Sequence, residues 1–348
     1  MQETKYGPET LGIITTYRCV AECKECCFEC NTHSPEKLSF DQIKKVIDDA
    51  AAVGSVKLVV WTGGECTLLG KELIKGISYA YSNGLPSRIV SNGWWARTPK
   101  IAKKKVKELI DAGLRELNIS TGDNHQEFIK ADTAILAAVT GAELGIISVL
   151  SIERTKYAKF TPETLIQNPV YKKFVYKNIN IDKLRVINPV WISFHQDTQY
   201  QYDKQDFDSG ELNEGCNNIM TFIGVEPSGN YIGCCGLTMR YIKSMKLGDS
   251  KKKTLETAYY QEYNDFMKRW IFVDGPLKIM KKVHDWDNSI RVPAFPHSCH
   301  YCALVFNDLK IQETIIKNYK DIEKQINADF VSKIDWCRLK AEKNTVNF

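Results

Sequence analysis

Leu11-Gly-Ile-Ile-Thr-Thr-Tyr-Arg18 runs directly into Cys19-Val-Ala-Glu-Cys23-Lys-Glu-Cys26. The first stretch reads as a strand. The second is a C-x-x-x-C-x-x-C loop where that strand gives out. Three thiolates on so short a loop can hold three irons of a cubic [4Fe–4S] cluster and leave the fourth iron without a protein ligand. Electron-transfer clusters are closed by four cysteines, and structural zinc sites are closed as well. An open fourth position points to chemistry at the metal. A second register, Cys23, Cys27 and Cys30, has the same spacing.

Outward from this loop, strand-like and helical stretches alternate. Helices are expected over 39–53, 69–82, 99–112, 125–144 and 161–177. Strands are expected over 56–61, 88–90, 116–119, 146–152 and from 184 to 187. Ser39 is a candidate N-cap, Gly54 a stop, and Pro99 a first-turn proline. About six strand–helix repeats imply parallel strands joined by right-handed crossovers. The unusual residues fall at the C-terminal ends of strands: the cysteines, Gly63-Gly64-Glu65, Ser91-Asn92-Gly93 and Ser120-Thr-Gly-Asp123. In barrel-like α/β folds that rim carries the active site.

The loop and the Gly-Gly-Glu that follows one strand later resemble the radical S-adenosylmethionine (SAM) superfamily. There the open iron chelates SAM, whose reductive cleavage gives a 5′-deoxyadenosyl radical that abstracts hydrogen from an unactivated carbon. The resemblance implies a partial (β/α)6 TIM-like barrel, followed by a small α+β auxiliary-cluster domain and a C-terminal helix. It favours Cys19, Cys23 and Cys26 as ligands, because Thr16-Tyr-Arg-Cys19 sets the first cysteine at a strand end. Glu25 stands where relatives often carry an aromatic residue, and Cys66 stands where they carry proline. Gly63, Gly64 and Glu65 are then expected at the SAM amino group, since glycines permit close approach and bound N–H groups need acceptors. Asn92, Ser120 and Asp123 are candidates for the SAM carboxylate and ribose; turn or helix capping is the plain alternative for each. His125 and Cys66 are the candidate catalytic side chains. Gly145–Glu153 lacks the second glycine of the strand that frames adenine in relatives, and no contact is assigned to it.

Twelve cysteines in 348 residues cluster instead of scattering. In a reducing compartment such clustering argues for metal over disulfides. The segment Cys216…Gly229…Cys234 resembles the C-x(9–15)-G-x(4)-C element of Twitch and SPASM extensions, with Leu247-Gly-Asp249 following and Cys299-His-Tyr-Cys302 closing the set. The resemblance implies one auxiliary [4Fe–4S] cluster on Cys216, Cys234, Cys299 and Cys302, with Cys235 as an alternative to Cys234. The further SPASM cysteines are missing. A four-cysteine zinc ribbon would use the same residues. Three regions are expected: a barrel over 1–210, the auxiliary domain over 211–308, and a helical segment over 309–348. The polar stretch from Phe194 to Gly215 marks the first boundary.

Net charge is +5, spread over many lysines with no compact arginine stripe, so no nucleic-acid partner is expected. No apolar run approaches the ~20 residues of a membrane span, and Met1-Gln-Glu-Thr-Lys5 lacks a signal-peptide pattern. A cytoplasmic enzyme is expected, fed by a low-potential donor such as flavodoxin or ferredoxin. Oxidative cross-linking of a ribosomally made peptide is the leading expectation. A small-molecule dehydrogenase is the runner-up, because no separate leader-binding domain is read before the first strand. An epimerase would need a hydrogen-donating thiol, with Cys66 or Cys337 as candidates. A non-catalytic zinc-binding interaction protein is the alternative of a different class.

Overall fold

Short apolar strands, each stopped by polar or glycine-containing turns, build one nine-stranded sheet in the order β6-β5-β4-β3-β2-β1-β7-β8-β9. The structure is a computed structural model describing residues 7–192, 201–207, 210–235 and 242–345. Met1–Lys5 and Phe194, at the start of the expected boundary, lie outside the described residues. The first six strands are β1 (Thr10–Ile14), β2 (Leu58–Thr62), β3 (Ser87–Ser91), β4 (Leu114–Thr121), β5 (Ile147–Ile152) and β6 (Leu184–Ile187). All pair in parallel. This open parallel sheet with its helices is the expected α/β partial barrel.

The helices form for local reasons. In α1 (Phe40–Val53) Ser39 caps the first turn in a reciprocal capping box with Gln42, and Gly54 ends the helix in the left-handed region at φ 76°. Ile43, Val46, Ile47 and Ala50 form its buried stripe. Each of the isoleucine and valine side chains contributes about 1.5–3 kcal/mol when fully buried. α2 (Lys71–Ser82) and α3 (Pro99–Asp111) follow, the latter capped by Thr98 with Pro99 in its first turn. The single helix expected over 125–144 is two, α4 (Asp123–Gln126) and α5 (Ala131–Glu143), because Lys130 turns extended between them. The helix expected over 161–177 is also two, α6 (Pro162–Gln167) and α7 (Pro169–Lys177). Pro169 pushes Asn168 out of the helical region, and the Asn168 side chain then caps α7.

The second half does not start a separate sheet. After the short helices α8 (Lys204–Phe207) and α9 (Asn218–Thr221), β7 (Phe222–Val225) pairs in parallel with β1. β8 (Asn230–Ile232) and β9 (Lys246–Asp249) then continue antiparallel. Beyond them lie α10 (Leu255–Tyr263), α11 (Phe266–Val273), α12 (Pro276–Trp286), α13 (Ser298–Asn307), α14 (Leu309–Asn318) and α15 (Lys320–Thr345). The C-terminal stretch, expected as one helix, breaks at Tyr319. Its Ile311, Ile315, Ile326 and Phe330 share a core with Met220, Trp270 and Met280, distinct from the core under the barrel strands. None of the helices among the described residues is long and apolar enough to cross a membrane.

Candidate active site

The five cysteines of Cys19–Cys30 occupy one loop, closed at its base. Cys19 N–H donates to the Asn31 carbonyl at 2.7 Å, and Asn31 N–H to the Tyr17 carbonyl at 3.3 Å. Inside the loop, Cys26 N–H reaches the Cys23 carbonyl and Glu29 N–H the Cys26 carbonyl, with Glu29 left-handed at φ 51°. Cys19 and Cys30 are buried; Cys23, Cys26 and Cys27 are half-buried. Burial first, then the charges of Glu65 and Cys26, pushes the Cys19 thiol up to about 11; burial, then Cys26 and Glu153, pushes Cys23 above its usual range. Cys26 itself is lowered to about 6, chiefly because the Cys30 thiol hydrogen-bonds to it. Cys26 is therefore the readiest thiolate of the loop, and Cys30 holds the proton. Glu25, in the place of the usual aromatic residue, is buried.

The Gly-Gly-Glu turn at the end of β2 serves the neighbouring strand. A Cβ on Gly63 would lie 2.6 Å from the Thr16 carbonyl oxygen, and one on Gly64 would lie 2.2 Å from that of Arg18. Gly64 N–H bonds Thr16 and Glu65 N–H bonds Arg18, at 2.7 and 2.9 Å. The close approach expected toward a ligand is thus made to the backbone that delivers Cys19. The Glu65 carboxylate, expected at the SAM amino group, is fully buried. It accepts from Thr67 N–H and O–H, from Ser91 O–H and from Asn92 N–H, at 2.6–3.1 Å. It is a post that ties its own turn to the end of β3 at Ser91 and Asn92. Asn92 continues the network, its Nδ2 donating to Cys19 Sγ at 3.5 Å.

At the next strand end, Ser120 is half-buried opposite Ser151 of β5. Asp123 is committed elsewhere: its carboxylate accepts from the N–H groups of Lys159 and Phe160 at 2.7 and 2.9 Å, tying down the loop after β5. His125 has a partner that the sequence did not single out. Its Nδ1 lies 2.9 Å from Oε2 of Glu153, a buried carboxylate at the end of β5 that also accepts from Asn124. The His125 ring meets Trp191 edge-on at 5.5 Å. A cleft of about 400 Å³ opens here, lined by Lys24 of the cysteine loop, Asp123, Asn124, Glu127, Glu153 and Tyr157 among others. Cys66 faces no such space. It is fully buried in the barrel core, its thiol donating to the Val90 carbonyl at 3.5 Å, as a packing thiol does. Cys337, the other candidate donor, packs on the second core.

Residues 13–131 match the family described as the radical SAM superfamily. The chain carries a radical SAM domain. Over 125 residues it is 24% identical to the putative peptide biosynthesis protein YydG of Bacillus subtilis (strain 168). The match covers 36% of this chain and 39% of YydG, well under two thirds of that protein's length. Among solved structures, native anSMEcpe with bound AdoMet and a Cp18Cys peptide superposes with a TM-score of 0.50 at 14% identity, over 92% of this chain and 99% of that one. SuiB of Streptococcus suis bound to S-adenosylmethionine gives 0.43 at 15% identity, over 73% and 66% of the two chains. The resemblance in architecture to anSMEcpe concerns the fold.

Radical SAM domains bind a [4Fe–4S] cluster and SAM, and the donor chemistry of the loop suits the cluster. Among the described residues no three His, Cys, Asp or Glu side chains close around one point as a single metal ion requires. A cubane takes each thiolate on a different iron, so its ligands stand further apart.

The radical SAM domain has a second thiol group beside it. The β7–β8 hairpin turns at Gly229, φ 88°, and leads into Cys234 and Cys235. Cys216 precedes α9, while Cys299 and Cys302 lie one turn apart at the start of α13. Burial raises Cys216, Cys299 and Cys302, and the field of Cys234 adds to each, so these thiols lie within electrostatic reach of one another. Cys235 hydrogen-bonds to Cys234 and joins them. Next to them lies a buried pair missed from the sequence, Glu262 and Lys268, 3.4 Å apart.

Proposed function

We propose that this chain is a radical SAM enzyme that oxidatively modifies a peptide. On this reading Cys19, Cys23 and Cys26 hold the SAM-binding cluster. Cys216, Cys234, Cys299 and Cys302 hold an auxiliary cluster that receives the electron left over. When bound, the first cluster and SAM supply a 5′-deoxyadenosyl radical that takes one hydrogen atom from a substrate carbon. Oxidation by two electrons then requires one more electron and one proton to leave the substrate.

The observation that carries this reading is the adjacency of the two thiol groups. Ile232, two residues before Cys234, packs in the same apolar cluster as Cys19, Phe28 and Cys30. Tyr17, two residues before Cys19, donates to the buried Glu226 in the hairpin turn at 2.9 Å. On this reading, a site for the outgoing electron sits beside the site where the radical is made. His125 is suited to take the proton: Glu153 engages Nδ1 and leaves Nε2 as the ring's second nitrogen for proton transfer. Peptide is favoured over a small alcohol by the similarity to YydG, whose name assigns it to peptide biosynthesis.

Anaerobic reconstitution tests this. Two four-iron clusters, 5′-deoxyadenosine formed from SAM, and a candidate peptide lighter by two hydrogens are the expected results. Two bound zinc ions with no nucleoside product overturn the reading.

A further inference from the structure

Lys268 on α11 is 2% exposed and Glu262 on α10 is 0% exposed. Burying two charges this completely is costly, and such pairs seldom add net stability. The pair is also poorly satisfied. Neither Glu262 oxygen has a hydrogen-bond partner, and the 3.4 Å approach of Lys268 Nζ is an ion pair alone. Packing does not require charges here, since Trp270, Ile271 and Phe272 of the same helix fill an apolar core.

The pair's position accounts for it. Gly233, the residue before Cys234, presses on the carboxylate: a Cβ there would lie 2.0 Å from Glu262 Oε1. The thiol hairpin therefore rests directly on Glu262. On the other side the Lys268 charge reaches Cys302 and favours its thiolate. The Lys268 charge, met among the described residues only by the Glu262 carboxylate on which the thiol hairpin rests, is thus close enough for its field to act on the second thiol group, in surroundings of low dielectric where that field is strong. A cluster held by four thiolates carries net negative charge, and that charge grows by one on reduction. A buried cation beside it stabilises the reduced form more than the oxidised one.

We propose that Lys268, oriented by Glu262, is the charge that sets the reduction potential of the auxiliary cluster and so lets that site accept an electron. This rests on the reading of Cys216, Cys234, Cys299 and Cys302 given above. Lys268 acts through the cluster and is a positioning residue.

The test uses the full chain with Cys19, Cys23 and Cys26 replaced by alanine, so that only the auxiliary cluster is loaded. Iron and sulfide content is measured, followed by a reductive titration read by electron paramagnetic resonance. Lys268→Met is expected to load the same iron yet shift the reduced-to-oxidised ratio at a given potential at least tenfold toward oxidised, ~59 mV for one electron. Lys268→Arg, which keeps the charge, should titrate with the parent. A Lys268→Met protein that loads fully and titrates with the parent overturns the proposal. If Lys268→Met fails to load, Lys268→Arg decides: loading with the parent's potential supports a role for charge, whereas failure of both makes Lys268 a packing residue and overturns it. If the parent itself loads no iron, the auxiliary-cluster reading has failed first, and this inference falls with it.

Discussion

Replacing Glu65 by glutamine separates two roles that the same residue can play. In the structure its oxygens face four donors: Thr67 N–H, Thr67 O–H, Ser91 O–H and Asn92 N–H. A glutamine keeps the shape but must turn one oxygen into an NH2 group. Oε1 takes two bonds from Thr67, so the amide nitrogen is better placed at Oε2. There it meets Asn92 N–H, formerly at 2.9 Å, donor against donor. One buried backbone N–H is left without an acceptor, at a cost of about 1–3 kcal/mol. Alanine strands all the donors and opens a cavity, so Glu65→Ala should cost at least ~3 kcal/mol, a large part of a typical 5–15 kcal/mol total. Denaturant unfolding of the metal-free protein measures both. The Asn92–Cys19 contact hangs on the same carboxylate, so iron loading should also fall in both variants. If Glu65→Gln unfolds like the parent while its affinity for SAM drops, the carboxylate is a ligand to the cofactor and its role as a structural post is refuted.

Alanine at Cys19, Cys23 or Cys26 should abolish 5′-deoxyadenosine formation, whereas Cys27→Ala and Cys30→Ala should retain it; the opposite pattern selects the register Cys23, Cys27 and Cys30. His125→Gln should leave SAM cleavage in place but cut peptide product tenfold or more, seen as nucleoside released without product; equal loss of both refutes a proton-accepting role. Cys66→Ala should keep nucleoside formation and cost roughly 0.5–2 kcal/mol in denaturant unfolding, as a buried small-cavity change. For Glu262, burial raises the carboxyl well above the ordinary range. The folded state then holds a proton that the unfolded chain has released, so this group's contribution is full below the ordinary glutamate range and is lost as pH rises toward the folded value. Metal-free Glu262→Gln should therefore lose less stability than the parent between about pH 5 and 7, and parallel pH profiles would contradict the assignment.

Much of the barrel was legible because its signals are local. The capping box at Ser39, Pro99 after Thr98 and the strand-end glycines all act within a few residues, and the structure has them where the sequence put them. The splits at Lys130, Asn168 and Tyr319 were not seen, since hydrophobic spacing runs on across a single turned residue. Asn168-Pro169 was readable in principle, because proline restricts the residue before it. The site was legible in its cysteines and less so in their partners. Glu65 and Asp123 look like ligand carboxylates in a motif, yet Glu65 is engaged by Thr67, Ser91 and Asn92, and Asp123 by the N–H groups of Lys159 and Phe160. Glu153, Glu262 and Lys268 gain their meaning only from neighbours far along the chain, which no spacing displays.

The same long-range logic explains why the two thiol groups come together. β1 lies between β2 and β7 and pairs in parallel with both. Its C-terminal end leads to Cys19, the end of β2 leads to Glu65, and the end of β7 leads to Glu226 and the hairpin that ends in Cys234. Parallel pairing sends all three ends to the same rim. Tyr17–Glu226 and the packing of Ile232 then fix the distance between the loop and the hairpin without any ligand. An auxiliary domain carried on its own sheet would have to dock against the barrel, and its cysteines would move with the interface. Here the outer hairpin extends the barrel sheet itself, so the strands that lead to Cys234 are anchored by β1–β7 pairing. Rigid placement of an electron acceptor beside the radical site is what an oxidative reaction requires, because the electron must leave the substrate before the carbon radical finds another hydrogen atom.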